Sequence, residues 1–441
     1  MPKRAKKLQE LSDILDGYKS DEIEKIDLSI LEELVEEVSK ISDTRDSSYV
    51  RHSLGDIIMI TLLAVMANAN EWLEIELFAK KKEKWLRKFL RLENGIPTDD
   101  TIRIVVSSIN VEYLYSIVVS FLMEKLNGII NTFGQTSESE SQEILSCDGK
   151  VSKSSKRNNT ETGGSKALNT LNVYSSNWGF CLEQEFIEEK TNEIPTTPEV
   201  LKRMDLRGSI VTWDALNTQK ETVAAVVKGK GDYVGALKGN QGNLYDDVKL
   251  YFDKETISEM SKSAIEEGNR LKNKRYKKTV EKEHSGIVTR EYFIENKIEW
   301  LSGKKDWAGL KAIGLEHKTI LKNNSSEPVY EDRFYICSFE DIDNFARAVR
   351  DHWGVENGLH WHLDFTFKDD NNTTMRDNGA KGLQIFKKIA LALLKVAQVA
   401  YPKRTSLKSI RYRLSLGFDS EIEKIFSMLS VNNLKEVLKM D

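Results

Sequence analysis

One short segment of the sequence, residues 350–361, concentrates the imidazole, indole and carboxyl groups that are most suited to chemistry. Within it, His352, Glu356 and His360 recur at every fourth residue, a spacing that places side chains on one face of a helix. An acid among aromatic residues indicates a carboxylate held in a partly dry place. The segment therefore predicts a helix that carries a functional acid, Glu356.

Two aspartates far upstream follow short apolar runs that are typical of buried strands. Asp148 comes after Ile144–Cys147, and Asp214 comes after Ile210–Trp213. A strand-end aspartate often only caps the next helix, and for Asp148 alone that interpretation is the simpler one. Together with Glu356, however, the two aspartates form the ligand set of a two-metal phosphoryl-transfer site.

Magnesium prefers hard carboxylate oxygens, with water and phosphate completing its coordination shell. We therefore expect two Mg²⁺ (or Mn²⁺) ions per active site. Asp148 would bridge both ions, while Asp214 and Glu356 would each bind one of them. Gly149, directly after Asp148, would allow a backbone to approach the site.

The two histidines beside the glutamate leave a zinc site open as an alternative, because imidazoles at helical spacing can bind zinc. The pattern here is His352-x3-Glu356-x3-His360, which differs from the His pair with an intervening glutamate in zinc proteases. A zinc hydrolase would also leave both upstream aspartates without a role.

Composition places the chain among globular proteins but does not name a partner. The 441 residues are 40% hydrophobic and 30% charged, with a net charge of −4, and this length suggests about two to four domains. Lysines and arginines are concentrated locally, in residues 80–91 and 270–282. Such stripes can bind a polyanion, although a solvated lysine face is an equally good interpretation.

Three isolated cysteines, Cys147, Cys181 and Cys337, form no CxxC pair, which favours a reducing cytoplasm over disulfides or a cysteine zinc site. The longest apolar run, residues 57–69, is too short to span a bilayer. We therefore expect a cytoplasmic protein with no membrane contact.

Apolar periodicity changes along the chain and predicts an α/β (α+β) fold, a mixed sheet flanked by helices. Strands are predicted at Ile144–Cys147, Asn172–Ser175, Phe180–Ile187, Ser209–Trp213, Tyr233–Leu237, Ile287–Ile294, Leu310–Leu321 and Arg333–Ser338. The predicted regions are a helical N-terminal part (1–135), whose basic face is compatible with DNA binding although periodicity does not prove it, the first part of a catalytic core (144–252), a mainly β insertion (253–340), the second part of the core with the Glu356 helix (341–400) and a helical tail (401–441).

A series of short blocks, in this order, resembles the bacterial insertion-sequence transposases of the H-repeat-associated group, within the DDE superfamily. The resemblance covers roughly residues 25–400. Its blocks are Arg51–Ile57, Gly95–Thr101, Cys147–Lys150, Thr191–Ile194, Val211–Gln219, Asp232–Gln241, His352–Asn357 and Leu359–Asp364.

The resemblance implies a ribonuclease-H-like core in which Asp148, Asp214 and Glu356 bind the metal ions. It also implies DNA cleavage at element ends, followed by attack of the freed 3′-hydroxyl on target DNA. The expected partners are double-stranded DNA, as element ends and target, and a second copy of the chain, because two ends must be brought together. The expected location is the bacterial cytoplasm, in association with the nucleoid.

The chain departs from the superfamily pattern at two positions around Glu356. His352 and Leu363 stand where an arginine and a lysine are common, so the residues that contact phosphate are not fixed by the resemblance. Asp369-Asp370 also stands where a Glu-Asp pair is commoner in this group.

Candidate DNA contacts are basic or amide side chains near the acids or in the insertion, where they would meet phosphate oxygens. A salt bridge for Lys150 and a ligand-free turn for the Gly-Asn-Gln sequence at 239–241 are equally good interpretations. The candidates are Lys150, Lys153, Lys156, Arg157, Lys238, Asn240, Gln241, Lys272, Lys274, Arg275, Arg350 and His352.

Four tryptophans have structural and functional interpretations. Trp353 and Trp361 are eight residues apart, and we expect them to pack the Glu356 helix onto the sheet. Trp300 and Trp307, in the insertion, could stack on a flipped base, but core packing is the preferred interpretation there as well.

Two other functions would use similar residues. A nuclease of the same fold would cut DNA without joining it, and strand-transfer products would distinguish the two. A non-catalytic DNA-binding protein derived from a transposase would not need the three acids, which the sequence retains.

Overall fold

The computed structural model describes residues 5–15, 27–134, 142–152, 167–187, 193–267, 275–283, 286–323, 325, 327–371, 378–402 and 404–438. These residues form a nine-stranded mixed sheet with helices around it. The predicted α/β class is therefore confirmed.

The N-terminal part is helical, and its third helix is buried on all sides because every one of its residues packs inside the protein. Thr98 caps the fifth helix by accepting a hydrogen bond from the Thr101 backbone N–H. The helices are α1 (Lys6–Ile14), α2 (Ser29–Val38), α3 (Leu54–Met66), α4 (Trp72–Leu86), α5 (Asp99–Ser108) and α6 (Val111–Phe133).

The sheet has the strand order β3-β2-β1-β4-β5-β9-β8-β7-β6. β4 runs parallel to β1 and β5, and the other neighbours are antiparallel. The strands are β1 (Glu143–Ser152), β2 (Leu168–Ser175), β3 (Cys181–Ile187), β4 (Ser209–Trp213), β5 (Asp232–Leu237), β6 (Tyr276–Glu283), β7 (Gly286–Glu295), β8 (Ala312–Lys322) and β9 (Val329–Cys337).

Two details of the sheet differ from the sequence-based expectation. β1 continues to Ser152, so Asp148 lies within the strand and not at its end; polar residues continue the strand because β2 supplies partners for them up to Ser152. The strand Tyr276–Glu283 was not predicted, because its charged residues alternate on a half-exposed ladder and give no apolar run.

The strands of the predicted insertion continue the main sheet. β9 pairs with β5 along Val234–Leu237, and β8, β7 and β6 follow outward as an antiparallel ladder. This part of the chain is therefore joined to the core by backbone hydrogen bonds.

The helices after β3 flank this sheet and lead to the C-terminus. Between α11 and α12 the chain forms two consecutive π-helical stretches, Glu356–His360 and His362–Thr366. The helices are α7 (Glu193–Lys202), α8 (Lys220–Lys228), α9 (Asn243–Tyr251), α10 (Lys254–Glu267), α11 (Ile342–His352), α12 (Gly379–Ala397), α13 (Leu407–Leu416), α14 (Phe418–Ser427) and α15 (Val431–Leu438).

The C-terminal helices neutralise part of the basic stripe predicted at 80–91. On α4, Lys82 pairs with Asp419 at 2.9 Å and Lys88 pairs with Glu423 at 2.9 Å. The Trp85 indole also donates to Glu423. These contacts use bases that the sequence offered as candidates for a phosphate-binding face.

Among the described helices, α6 has the length and apolar content that crossing a membrane requires, and half of that apolar stretch is buried inside the protein. Its buried residues belong to the core that the N-terminal helices share with α12.

Arg411 joins three regions of the chain, and we expect its loss to destabilise the fold. Its buried guanidinium donates to the carbonyl oxygens of Val65 and Thr366 and lies over the Phe367 ring. Arg411→Met should lower the free energy of unfolding by about 2 to 4 kcal/mol, because charge-assisted hydrogen bonds are lost in the interior. Urea unfolding followed by circular dichroism measures this change.

The matched control for Arg411→Met is Leu416→Ala on the same helix, because Leu416 is 71% exposed. This control should change stability by less than about 0.5 kcal/mol. Equal effects of the two substitutions would contradict the proposed anchoring role.

Candidate metal centre

The parallel pairing of β1 and β4 brings the two predicted aspartates side by side. Cys147 lies opposite Trp213 in the register, so the next residues along the two strands are Asp148 and Asp214. The Asp214 carboxylate accepts a hydrogen bond from the backbone N–H of Asn217, which holds it at the start of the loop after β4. The sheet thus brings together two acids that are 66 residues apart in the chain.

Glu356 approaches the aspartates from the π-helical stretch. His360 Nδ1 lies 3.1 Å from Glu356 Oε2 and 3.6 Å from Asp148 Oδ2. One ligand atom from each of these three residues lies within 4.8 Å of the others. π-Helical turns are rare in proteins, and those that occur are frequently found at functional sites. Here His360, four residues after Glu356, lies next to it on the same helix face.

A fourth carboxylate, Glu193, completes the cluster and was not assigned a role from the sequence. It begins α7 and lies against Gly149, where an added Cβ would be only 2.1 Å from Glu193 Oε1. The Asn217 side-chain amide donates to Glu193 at 3.2 Å and to Asp214 at 3.3 Å. Gly149 therefore leaves room for the Glu193 carboxylate. We expected Gly149 to allow a backbone segment to approach the site, but a side chain occupies this space instead.

A signal for Glu193 was present in the sequence. Glu193 lies in the Thr191–Ile194 block that supports the family resemblance. The sequence around a single acid, however, does not indicate that its side chain lies near Asp148 and Asp214. Only the packing of α7 beside β1 brings it to the site.

The electrostatics of the cluster favour binding of a cation. Burial, followed by the nearby charges of Glu193 and Asp214, raises the pKa of Asp148 to about 7. Burial and the charge of Asp214 also raise the pKa of Glu193, against the hydrogen bond from Asn217. Asp148 and Glu193 are partly buried, whereas Asp214 is exposed. Glu356 is 60% exposed, so the partly dry surroundings expected for it are wrong. Carboxylate oxygens gathered in this way are a fitting donor set for a hard divalent ion.

Lys150 is buried and paired, which matches the salt-bridge interpretation offered for it. Its Nζ lies 2.5 Å from Asp364 Oδ1, and its side chain is only 5% exposed. Since Asp364 lies two π-turns after Glu356, this ion pair ties the acid-bearing helix to β1. A DNA contact by Lys150 stays a prediction, and it would require this pair to open.

A second buried lysine supports the sheet behind Asp148. Lys388 on α12 donates to the side-chain oxygen of Asn172, which lies opposite Asp148 in the β1–β2 ladder, and to Gln184 on β3. Burial lowers the pKa of Lys388 to about 8. The contact fixes the neighbouring strands beneath the carboxylates.

The turn after β5 positions the Asp214 loop. The side-chain amides of Asn240 and Gln241 donate to the carbonyl oxygen of Ala215, at 2.9 and 2.6 Å. Lys238 is exposed beside them. The two amides therefore hold the backbone next to Asp214, and a phosphate contact by this turn stays a prediction that rests on Lys238.

Three other candidate DNA contacts lie within the described residues. Burial lowers the pKa of His352 to about 4, so its ring is neutral at neutral pH, and its Nδ1 lies 3.0 Å from the Thr212 hydroxyl. Arg350 and Arg275 are partly exposed and pair with glutamates of the β6–β7 region, at 3.1 and 2.9 Å. Outside the described residues lie Lys153, Lys156, Arg157, Lys272 and Lys274.

The expected packing onto the sheet is wrong for Trp361, which is 49% exposed. Trp353 is 42% exposed, but its ring packs against the guanidinium of Arg333 on β9, at 4.6 Å. In the π-helical stretch, residues four apart share a row, and the row that faces inward is Val355, Leu359 and Leu363. Trp361 lies outside this inward row.

Comparison with known proteins places the chain in a family. The family model "Transposase DDE domain" matches residues 138–393, and the model "DDE_Tnp_1-associated" matches residues 35–122. The chain belongs to the DDE transposase family. Membership in this family implies the use of a divalent metal, which agrees with the donor set described above.

Curated relatives cover most of the chain. It is 33% identical to "Putative transposase YncI" of Escherichia coli over 83% of this chain and 88% of that protein. It is 30% identical to "H repeat-associated putative transposase YhhI" of Escherichia coli over 82% of this chain and 90% of that protein. The predicted resemblance to the H-repeat-associated group is thus confirmed.

One solved structure, titled as the synaptic complex of piggyBac transposase with hairpin DNA, matches over 92% of this chain and 79% of its own. The TM-score is 0.35 and the sequence identity is 11%.

The raised pKa of Asp148 predicts how stability depends on pH when no divalent cation is present. The unfolded chain loses this proton near pH 4, whereas the folded protein keeps it up to about pH 7. The contribution of protonated Asp148 to the free energy of unfolding is therefore fully present below about pH 4. As the pH rises from about 4 to about 7, this contribution is lost, and the free energy of unfolding falls by at most about 1.4 kcal/mol per pH unit. Denaturant unfolding in EDTA across this range measures the slope.

The Asp148→Asn variant should lack this pH-dependent part of the stability. Subtracting the pH profile of the variant from that of the wild type therefore separates the effect of Asp148 from that of all other titrating groups. Added Mg²⁺ should restore the stability of the wild type near pH 7, because an ion that binds only the folded state stabilises it. Parallel pH profiles of wild type and variant would show that Asp148 is not perturbed.

Proposed function

We propose that this DNA transposase cleaves DNA at element ends and joins the freed 3′-hydroxyl to target DNA by two-metal phosphoryl transfer. The proposal is supported by two contacts of Asp148: Asp214 lies beside it at the end of the adjacent strand, and Glu356 reaches it from a separate helix. The five-strand part of the sheet that holds the two aspartates would be the ribonuclease-H-like core.

Two Mg²⁺ or Mn²⁺ ions bound by these three acids and Glu193 would activate the attacking oxygen and stabilise the leaving one. Within the protein, Asn217 holds the carboxylates of Asp214 and Glu193 in a fixed relation. The neutral His360 ring, whose pKa burial lowers to about 4, donates from Nδ1 to Glu356 and orients it. These contacts would prepare the acids before DNA arrives.

The proposed partners follow from this chemistry. Double-stranded DNA would be bound both as element ends and as target, and two copies of the chain would bring two ends together. The protein would act in the bacterial cytoplasm, in association with the nucleoid. A nuclease that cuts without joining would use the same acids, so only strand transfer distinguishes it.

Replacing Glu356 by glutamine should abolish cleavage and leave DNA binding intact, because the acid serves as a metal ligand. The substrate is a labelled duplex from the DNA that flanks the coding sequence, incubated with Mg²⁺. We expect discrete cuts by the wild type and at least about a hundredfold loss in the variant. Glu299→Gln, at an exposed position of the insertion, is the matched control.

Supplying an end that is already cut, together with target DNA, tests the joining step. Joined products would separate a transposase from a nuclease. Binding without any cutting by the wild type would indicate a non-catalytic DNA-binding protein, and cutting that survives Glu356→Gln would exclude this acid as a ligand.

Glu193 is proposed as a further ligand, and its test does not depend on catalysis. Glu193→Gln should weaken Mn²⁺ binding by about tenfold or more, since it removes a charged donor from the cluster. Glu199→Gln is the matched control, because Glu199 lies on the same helix with its side chain 69% exposed. Isothermal titration with Mn²⁺ measures both, and equal affinities would exclude Glu193 from the metal shell.

A further inference from the structure

Two large aromatic side chains next to the acids have no cover within the described residues. Trp361 and Phe365 stack on each other, with ring centroids 4.6 Å apart and an angle of 20° between the planes. They are nevertheless 49% and 55% exposed. Large apolar groups left in water on a well-packed protein commonly mark a binding surface. We call these two residues the aromatic pair.

The aromatic pair runs beside the row of acids. Glu356, His360 and Asp364 recur every fourth residue and face β1 through Asp148 and Lys150. Trp361 and Phe365 each follow a member of that row by one residue, so they form the adjacent row of the same helical surface. A molecule bound at the carboxylates would therefore reach these rings along the helix.

Positive charge lies on the aromatic pair. Lys408 of α13 places its ammonium 5.3 Å from the Phe365 ring centroid, and it makes no ion pair with a described residue. The surrounding segment, residues 402–418, contains five bases and no acid. Arg411 in that segment is buried on Phe367 and the Thr366 carbonyl, which fixes α13 against the π-helical stretch.

We propose that the aromatic pair and Lys408 bind an unpaired nucleotide of the DNA strand whose phosphate lies at the carboxylates. This inference rests on the proposed function. The base would stack on Trp361 or Phe365, and the Lys408 ammonium would contact the adjoining phosphate. Stacked aromatics combined with bases are the features that bind single-stranded nucleic acid without reading its sequence.

Charge is what favours a nucleotide here over an apolar protein partner. The carboxylates on one side require cations and then phosphate, and the Lys408 ammonium on the other side attracts the same polyanion. A protein helix seated on the pair would have to bury Lys408 without a described acidic neighbour. A nucleotide satisfies both the rings and the ammonium.

The test compares two duplexes of the same sequence, one blunt and one with a short unpaired thymidine overhang, with Ca²⁺ present in place of Mg²⁺. Wild type should prefer the overhang duplex. Trp361→Ala should weaken binding of that duplex by about tenfold while changing blunt-duplex binding by less than about twofold. Trp361→Phe should keep most of the preference, because it retains a ring.

Trp300→Ala is the matched control. Trp300 is 47% exposed and also stacked, on Tyr251 at 5.3 Å, but it lies in the β insertion. It should leave both affinities unchanged. As a direct readout, 5-iododeoxyuridine in the overhang should crosslink on irradiation to the peptide that contains Trp361.

The proposal is overturned if the wild type does not prefer the overhang, if Trp361→Ala keeps the preference, or if Trp300→Ala removes it. In each of these cases the proposed function would still be supported if the wild type cleaves DNA and the Glu356→Gln variant does not. Failure of the wild type to bind either duplex would overturn both.

Discussion

Mutual repulsion among carboxylates is the constraint around which the centre of this protein is organised. Asp148, Asp214, Glu193 and Glu356 come from four parts of the chain. Burial, followed by neighbouring negative charge, raises the pKa of Asp148 and of Glu193, so the charged forms of these two acids oppose folding in the absence of a cation. Backbone pairing of β1 with β4 forces Asp148 and Asp214 together, and Gly149 leaves the space that the Glu193 carboxylate fills. The fold thus holds an arrangement that a divalent ion would stabilise.

The segment that contains the π-helical stretches contacts three different surroundings at once. With residues four apart aligned, it presents an apolar row to the core, an acid and imidazole row to β1, and an aromatic row to solvent. The Lys150–Asp364 ion pair locks the rotation of the stretch, because it fixes one member of the middle row to the strand that carries Asp148.

The helical regions at the two ends of the chain support this centre jointly. α12 packs against α3, α5 and α6 and inserts Lys388 beneath β1 and β2. The C-terminal helices close over α4 and carry Arg411 to both Val65 and Thr366. The N-terminal helices, the π-helical stretch, α12 and the C-terminal helices therefore share one hydrophobic core, so the position of the acid-bearing helix depends on residues from both ends of the chain.

The sequence alone determined the α/β class, the strand Ser209–Trp213 and the family, because apolar period and ordered motifs are local properties. It also selected Asp148, Asp214 and Glu356, whose residue types suit one chemistry. Only the tertiary structure placed Glu193 against Gly149, buried Lys150 on Asp364 and turned Trp361 outward. Those outcomes depend on packing between segments that are distant in the sequence, which local patterns do not reveal.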